Sequence, residues 1–232
     1  MYQINEIFAS IQGEGPDAGR PCTFVRLAGC NLACTFCDTF HWSQHLYTLD
    51  GLVAAVCKIA PSHLIVLTGG EPFLQPIIPL IHALNGRMFD VQIETNGTLW
   101  LPELLDMCFP STVGPLQGNS VVCSPKNDRM TEGIAHLAKA FKYVVGADTD
   151  VDPADGLPLQ STQKVGVAVR ISRPWEVAGW DRAATGSLKI YLQPRDDHDV
   201  KDNAANVRRY VELCMKYNYR LSIQIHKVVG FR

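Results

Sequence analysis

Three thiols fall within eight residues, Cys30-Asn31-Leu32-Ala33-Cys34-Thr35-Phe36-Cys37, at the spacing C-x3-C-x2-C. A cube of iron and sulfide is held by Cys thiolates, usually four, one per iron. This run supplies three, and no second Cys pair with ligand spacing follows it. A four-iron cube held by three thiolates keeps one iron open, where a small molecule can be chelated, as catalytic zinc sites keep one position for substrate. A structural zinc loop and a group of buried thiols are the alternatives. Zinc prefers four protein ligands in paired short spacings, so the spacing favours the cluster. Cys22, Cys57, Cys108, Cys123 and Cys214 lie outside the run. They are expected to pack as small buried hydrophobes, and Cys22, just before the run, is the one that could add a ligand.

With 232 residues the chain can bury a substantial core as a single domain spanning 1–232. Its 47% hydrophobic and 19% charged residues are those of an ordinary globular protein. A net charge of −2 with no basic block argues against a nucleic-acid surface. The opening Met1-Tyr2-Gln3-Ile4-Asn5-Glu6 has no basic and apolar leader pattern, and no apolar run is long enough for a bilayer. The expectation is a cytoplasmic protein with no membrane partner, whose thiols stay reduced and available to metal.

Period and turn chemistry predict strands at Ile4–Ile11, Cys22–Leu27, Leu64–Leu67, Val91–Ile93, Ser120–Cys123, Phe141–Val145, Lys164–Ile171, Ser187–Leu192 and Arg220–Ile225. Helices are predicted at Thr48–Ala60, capped by Thr48, at Phe73–Leu84 despite Pro76 and Pro79, and at Leu101–Cys108, Thr131–Ala140 and Asp202–Asn218. In the last of these Asp202 is the expected cap, and Val207, Tyr210, Val211, Cys214 and Met215 form an expected core stripe. The acidic, Gly- and Pro-containing stretch 148–160 reads as a surface loop or insertion. It is not a calcium loop, because Pro153 and Leu159 stand where Gly and Glu are needed.

This alternation indicates βα units on a mostly parallel sheet, an α/β fold. The Cys run, Gly69-Gly70-Glu71-Pro72, Glu94-Thr95-Asn96-Gly97 and Ser124-Pro125-Lys126 each follow the carboxyl end of a predicted strand. Ligands bind at that edge of parallel sheets and barrels, so a partial (β/α)-barrel with its site on one rim is expected. Arg26 lies inside an apolar strand with Phe24 on the same face. Its guanidinium fork would take either a neighbouring acidic side chain or a substrate carboxylate.

The Cys spacing, with Phe36 before the third Cys, resembles the signature of the radical S-adenosylmethionine (SAM) enzymes. Ile11-Gln12-Gly13-Glu14-Gly15, Phe24-Val25-Arg26-Leu27-Ala28-Gly29-Cys30, Cys37-Asp38-Thr39, Thr68-Gly69-Gly70-Glu71-Pro72, Glu94-Thr95-Asn96-Gly97, Ser124-Pro125-Lys126 and Gln224-Ile225-His226-Lys227 together resemble the 7-carboxy-7-deazaguanine synthase family within it. The resemblance implies a partial barrel of the radical SAM type and a homodimer. It implies a [4Fe–4S] cluster on Cys30, Cys34 and Cys37 whose open iron takes SAM, used as a regenerated cofactor, with a flavodoxin or ferredoxin as reductant. It further implies that 6-carboxy-5,6,7,8-tetrahydropterin loses ammonia in a ring contraction begun by hydrogen abstraction at C6, giving 7-carboxy-7-deazaguanine on the route to queuosine.

By the same resemblance Phe36, Gly70, Glu71, Ser124, Pro125, Lys126 and Gln193 contact SAM, with Glu71 on its ammonium. Gly69 and Gly70 leave room for that ligand. Ile11, Gln12 and Gly13 line the pterin edge through backbone groups, and Glu14 reaches its guanidine-like face. Arg26 grips the carboxylate, Thr68 bonds the ring, and His226 and Arg232 close the pocket. Thr39 is the implied Mg2+ ligand, with Asp38 orienting waters. The stretch from Asp148 and the final residues depart from the family's common form. A glycyl-radical-enzyme activase of the same superfamily and a non-catalytic zinc or iron–sulfur module are the competing readings.

Overall fold

The computed structural model describes residues 1–37, 45–108, 118–162, 169–181 and 189–231. Its strands are β1 (Tyr2–Ile11), β2 (Pro21–Leu27), β3 (His45–Tyr47), β4 (Leu64–Gly69), β5 (Asp90–Thr95), β6 (Ser120–Cys123), β7 (Ala140–Val145), β8 (Ile190–Pro194) and β9 (Arg220–Leu221). Among the described residues they form one sheet in the order β3-β1-β2-β4-β5-β6-β7-β8-β9. From β2 to β9 every pairing is parallel, while β1 runs antiparallel to both β2 and β3. The sheet curls without closing, giving the partial α/β barrel that the strand–helix alternation predicts.

The helices are α1 (Leu49–Ile59), α2 (Ile77–Asn85), α3 (Leu104–Cys108), α4 (Glu132–Leu137), α5 (Pro174–Ala178), α6 (Val200–Tyr217) and α7 (Ile225–Val228). Thr48 caps α1 as expected, its side chain accepting from Gly51 N. Leu52 and Val56 from α1 join Leu80 and Leu84 from α2 and Ile65, Leu67, Val91 and Ile93 from the sheet in one apolar core.

Several elements differ from the sequence reading, each for a local reason. The helix predicted from Phe73 begins only at Ile77. Pro72–Leu74 is a 3-10 turn, and Pro76 forces Gln75 into extended backbone. The helix predicted to Ala140 stops at Leu137, because Lys139 N bonds Val121 O and Ala140 already opens β7. Asp199, not Asp202, caps α6, accepting from Lys201 N and Asp202 N at 2.8 and 3.1 Å. The core stripe of α6 is also displaced. Asn206, Tyr210, Leu213 and Cys214 are buried, whereas Val207, Val211 and Met215 are exposed. Asn206 sets this face, because its side chain locks onto Arg195 O, Asp197 Oδ2 and Ala147 N. The final strand is only Arg220–Leu221, and Ile225 already begins α7.

The stretch 148–160 is more than a surface loop. Asp155, Gly156, Leu157 and Pro158 are buried, and Arg173, fully buried, donates Nε and Nη2 to Asp155 at 2.8 and 3.1 Å. The strand predicted at 164–171 lies mostly outside the described residues, as do Asp38, Thr39 and Arg232. Among the described residues no helix is long and apolar enough to cross a membrane.

Candidate active site

Alternation along the parallel strands builds the inner wall of the barrel. Arg26 lies beside Thr68, Glu94 beside Val122 and Val144 beside Gln193. These residues, with Phe24, Ser124 and Lys142, line one open cavity. Its rim comprises the chain following β2, β4, β5, β6 and β8, including Cys30, Cys34, Cys37, Gly70, Asn96, Lys126 and Arg195. The turn from Gln12 to Arg20 lies across the opposite, amino-terminal ends of the strands. Arg20 reaches Asp90 at the start of β5, and Asp17 takes a bond from Lys139 just before β7. Glu14 thereby becomes part of the cavity floor.

The Cys loop is fastened to three neighbours. Gly70 N donates to Leu27 O at 3.1 Å and Glu71 N to Gly29 O at 2.8 Å. Asn31 accepts from Asn96 Nδ2 at 2.9 Å and donates to Thr98 Oγ1 at 2.8 Å. Thr35 N donates to Thr162 O at 2.8 Å, and Thr162 Oγ1 donates to Cys34 Sγ at 3.2 Å. A Cβ on Gly70 would stand 1.7 Å from Gly29 O, and one on Gly69, at φ +128°, 2.1 Å from Leu27 O. The approach of β4 to the Cys loop therefore requires glycine at both positions.

The thiols suit a cluster. All three face the same cavity, Cys30 and Cys34 partly buried and Cys37 exposed. Leu32 N donates to Cys30 Sγ at 3.4 Å, and with the Thr162 hydroxyl this supplies the sulfur hydrogen bonds that tune iron–sulfur centres. Cys22 is no extra ligand. It is buried with Leu64 and Val66, and burial pushes its thiol up to about 12. Cys123 and Cys214 are buried as expected, whereas Cys57 is exposed and Cys108 only partly covered.

Around the thiols, Lys126 Nζ sits 5.2 Å from the Phe36 ring centroid and donates to Ser124 Oγ at 2.7 Å. Burial holds its ammonium below the ordinary lysine value, while Cys34 pulls the other way. Pro125 is buried and outside the wall. Gln193 is 8% exposed and lines the cavity, and its buried Oε1 has no hydrogen-bond partner among the described residues.

Glu71 also stands behind the wall. It is fully buried, and its carboxylate accepts from Thr95 Oγ1 at 2.8 Å, Phe73 N at 3.1 Å and Asn96 N at 2.8 Å. Burial raises its pKa, against the pull of these three donors.

The polar side of the cavity centres on Glu94, a residue the sequence reading did not single out. Its Oε1 accepts from Gln12 Nε2 at 3.1 Å and Gln92 Nε2 at 3.2 Å, and its Oε2 from Thr68 Oγ1 at 3.2 Å. Gln12 therefore reaches the cavity through Glu94. Its own N–H goes to Arg20 O, and its C=O accepts from Gly19 N. Ile11 and Gly13 are not part of the wall. Gly13 instead seats the His226 ring, since a Cβ there would come 2.0 Å from His226 Nδ1. Arg26 lines the cavity with Nε bonded to Glu6 Oε1 at 2.8 Å and its guanidinium 5.8 Å from the Phe8 ring centroid.

Glu14 is paired with Lys142 Nζ and accepts from Gln224 Nε2 at 2.7 Å. Burial pushes its pKa up, but Lys142 and Gln224 outweigh burial and hold it below the ordinary carboxylate value. Lys142 was also missed. The available signal was the one used for Arg26, a cation inside an otherwise apolar strand, here Ala140–Val145.

A wall of this kind, with three thiols on one rim and paired polar groups on the other, can be set against known proteins. The sequence profile of the Radical SAM superfamily matches residues 25–117. A 7-carboxy-7-deazaguanine synthase from Rhodospirillum rubrum is 41% identical over 97% of this chain and 91% of its own length. One from Bacteroides thetaiotaomicron is 46% identical over the full length of both. The chain belongs to the 7-carboxy-7-deazaguanine synthase family. Among solved structures, QueE from Escherichia coli superposes with a TM-score of 0.59 at 25% identity, covering 95% of this chain and 92% of that one. As radical SAM members, proteins of this family use a [4Fe–4S] cluster and SAM, which the rim thiols and the orphaned Gln193 oxygen fit.

Proposed function

We propose that this chain converts 6-carboxy-5,6,7,8-tetrahydropterin to 7-carboxy-7-deazaguanine and ammonia. The observation that carries the reading is the cavity itself, where a three-thiol rim faces a carboxylate, Glu94, and a guanidinium, Arg26. Substrate and product differ by one ammonia and nothing else, so the reaction needs no net oxidant. Cys30, Cys34 and Cys37 would hold the cluster, which with SAM and a flavodoxin or ferredoxin as reductant would supply the radical chemistry for hydrogen abstraction at C6.

The chain's own residues bind and orient. Arg26 lies at the substrate end of the cavity, its side chain fixed by Glu6 and Phe8, and takes the pterin carboxylate as a charge-assisted pair. Glu94, steadied by Gln12, Gln92 and Thr68, accepts hydrogen bonds from the guanidine-like face of the ring. This assigns to Glu94 the contact that the sequence reading gave to Glu14, and Thr68 serves both the ring and Glu94. Phe36, Ser124, Lys126 and the Gln193 Oε1 face the SAM side, and Gly70 positions the Cys loop.

Glu71 acts by bracing two rim segments rather than by touching SAM. The C-terminal segment closes the floor, with Ser222 Oγ accepting from Gly15 N, Gln224 on Glu14 and His226 against Gly13. Mg2+ at Thr39, closure by Arg232 and a homodimer complete the proposal.

Arg26→Ala tests it. Cluster content should equal that of the parent while the pterin KM rises or turnover is lost. Unchanged kinetics would refute the carboxylate contact.

A further inference from the structure

The cavity floor carries a group that substrate binding does not use. Glu14 and Lys142 are in direct contact, their side chains 15% and 10% exposed, and both line the cavity. They come from opposite parts of the chain, Glu14 from the turn after β1 and Lys142 from β7. Lys142 stands at the inward position following Ala140, which pairs with Val122 beside Glu94.

The other charged groups of the wall are differently engaged. Arg26 and Arg195 carry guanidiniums that do not release protons, and Glu94, already accepting from three protein donors, is given to the guanidine-like face of the ring. Lys126 lies on the thiol side over Phe36, and Asp196 is bonded to Lys227 at 2.5 Å. Among the described residues of the wall, Glu14 and Lys142 are the carboxylate and ammonium in mutual contact.

This inference rests on the proposed reaction. Once the ring has contracted, the carbon bearing the carboxylate also bears the former ring nitrogen as an amine, and its neighbour is a CH2. Ammonia must then leave and one proton must come off that CH2. We infer that Lys142 and Glu14 are the proton-transfer pair for this elimination, Lys142 protonating the departing nitrogen and Glu14 taking the proton from the CH2.

The balance closes. The C–N bond breaks with its electrons on nitrogen, which leaves as ammonia with the Lys142 proton. The C–H electrons become the ring double bond, and that proton goes to Glu14. The pair is left as a neutral amine and a carboxylic acid, and one transfer along its own hydrogen bond restores the ion pair. Glu14 is suited to accept, because Lys142 and Gln224 keep it ionised against the cost of burial.

The test uses the full chain with its cluster reconstituted anaerobically, SAM, a reductant and pterin carrying deuterium at C6. Glu14→Gln, Lys142→Gln and Lys142→Arg are compared with the parent, in whichever variants keep its circular dichroism and iron content. Deuterium entering 5′-deoxyadenosine or SAM reports hydrogen abstraction, and ammonia reports elimination. Deuterium transfer should stay within about threefold of the parent while ammonia release falls about 100-fold or more, the usual scale of a lost general acid or base. A compound of the substrate's mass but different retention should accumulate.

Lys142→Arg keeps the charge and the pairing but cannot surrender a proton, so it should behave like Lys142→Gln. Ammonia release near the parental rate in Lys142→Arg would make the pair a structural strut and overturn the inference. So would parallel loss of deuterium transfer and ammonia release, the mark of misplaced substrate. If the parent itself transfers no deuterium from the pterin, the reaction assignment falls and not the pair.

Discussion

Glu71→Ala separates a brace from a ligand contact. Glu71 is fully buried and receives the Thr95 hydroxyl and the N–H groups of Phe73 and Asn96, all in residues at most 8% exposed. Removing the carboxylate strips three buried donors of their acceptor. At about 1–1.5 kcal/mol net per bond, the loss is roughly 3–4.5 kcal/mol. With a urea slope of about 2 kcal/mol per molar, the midpoint of the cluster-free chain should fall by about 1.5–2.3 M.

Glu71→Gln keeps one acceptor oxygen but turns an amide NH2 toward a donor, so an intermediate loss is expected. The pH dependence follows the raised pKa. A carboxyl whose folded pKa lies above its unfolded one stabilises the fold below the unfolded value, and that stability is lost as pH rises through the folded value. Stability of the parent should therefore gain less from pH 4 upward than that of Glu71→Gln. The measurement is urea denaturation followed by tryptophan fluorescence across pH. A midpoint shift under about 0.3 M for Glu71→Ala would refute the brace, and together with weakened SAM binding it would restore Glu71 to the ligand.

Three further outcomes are expected. Gly70→Ala places a Cβ against Gly29 O, a backbone overlap whose relief costs about 1–3 kcal/mol; iron retained on reconstitution should drop by about half or more while circular dichroism is held. Asp155→Ala leaves the buried Arg173 guanidinium without its carboxylate and should cost about 3–5 kcal/mol in urea denaturation. Burial works to raise Asp17, but Arg20 and Lys139 outweigh it and hold its pKa low. Its stabilisation is thus present above the ordinary carboxylate value and lost as pH falls through the folded one. Asp17→Asn should flatten the acid limb of the stability curve, and an unchanged limb would count against that pairing.

The sequence made the rim legible because its segments follow strand ends and carry residues that a structural turn does not need. The strands themselves read well where both faces are buried, as in Leu64–Gly69 and Ser120–Cys123. What stayed hidden depends on long-range partners. The buried face of α6 is chosen by Asn206, whose partners lie at Ala147, Arg195 and Asp197. The stretch around Asp155 looks like solvent-exposed chain until Arg173 is placed inside it. Glu14 and Glu94 could not be told apart by type. Only the tertiary structure gives one a lysine and the other two amides and a hydroxyl. Glu71, expected on the SAM ammonium from its motif, accepts from Thr95 and Asn96 and so joins two motifs.

The most direct test of the central assignment is a product balance. The reconstituted chain is incubated anaerobically with a reductant, SAM, Mg2+ and 6-carboxy-5,6,7,8-tetrahydropterin, and products are followed by mass spectrometry. The expected result is 7-carboxy-7-deazaguanine and ammonia in equal amounts, with SAM recovered. Cleavage of SAM to 5′-deoxyadenosine with the pterin untouched would contradict it.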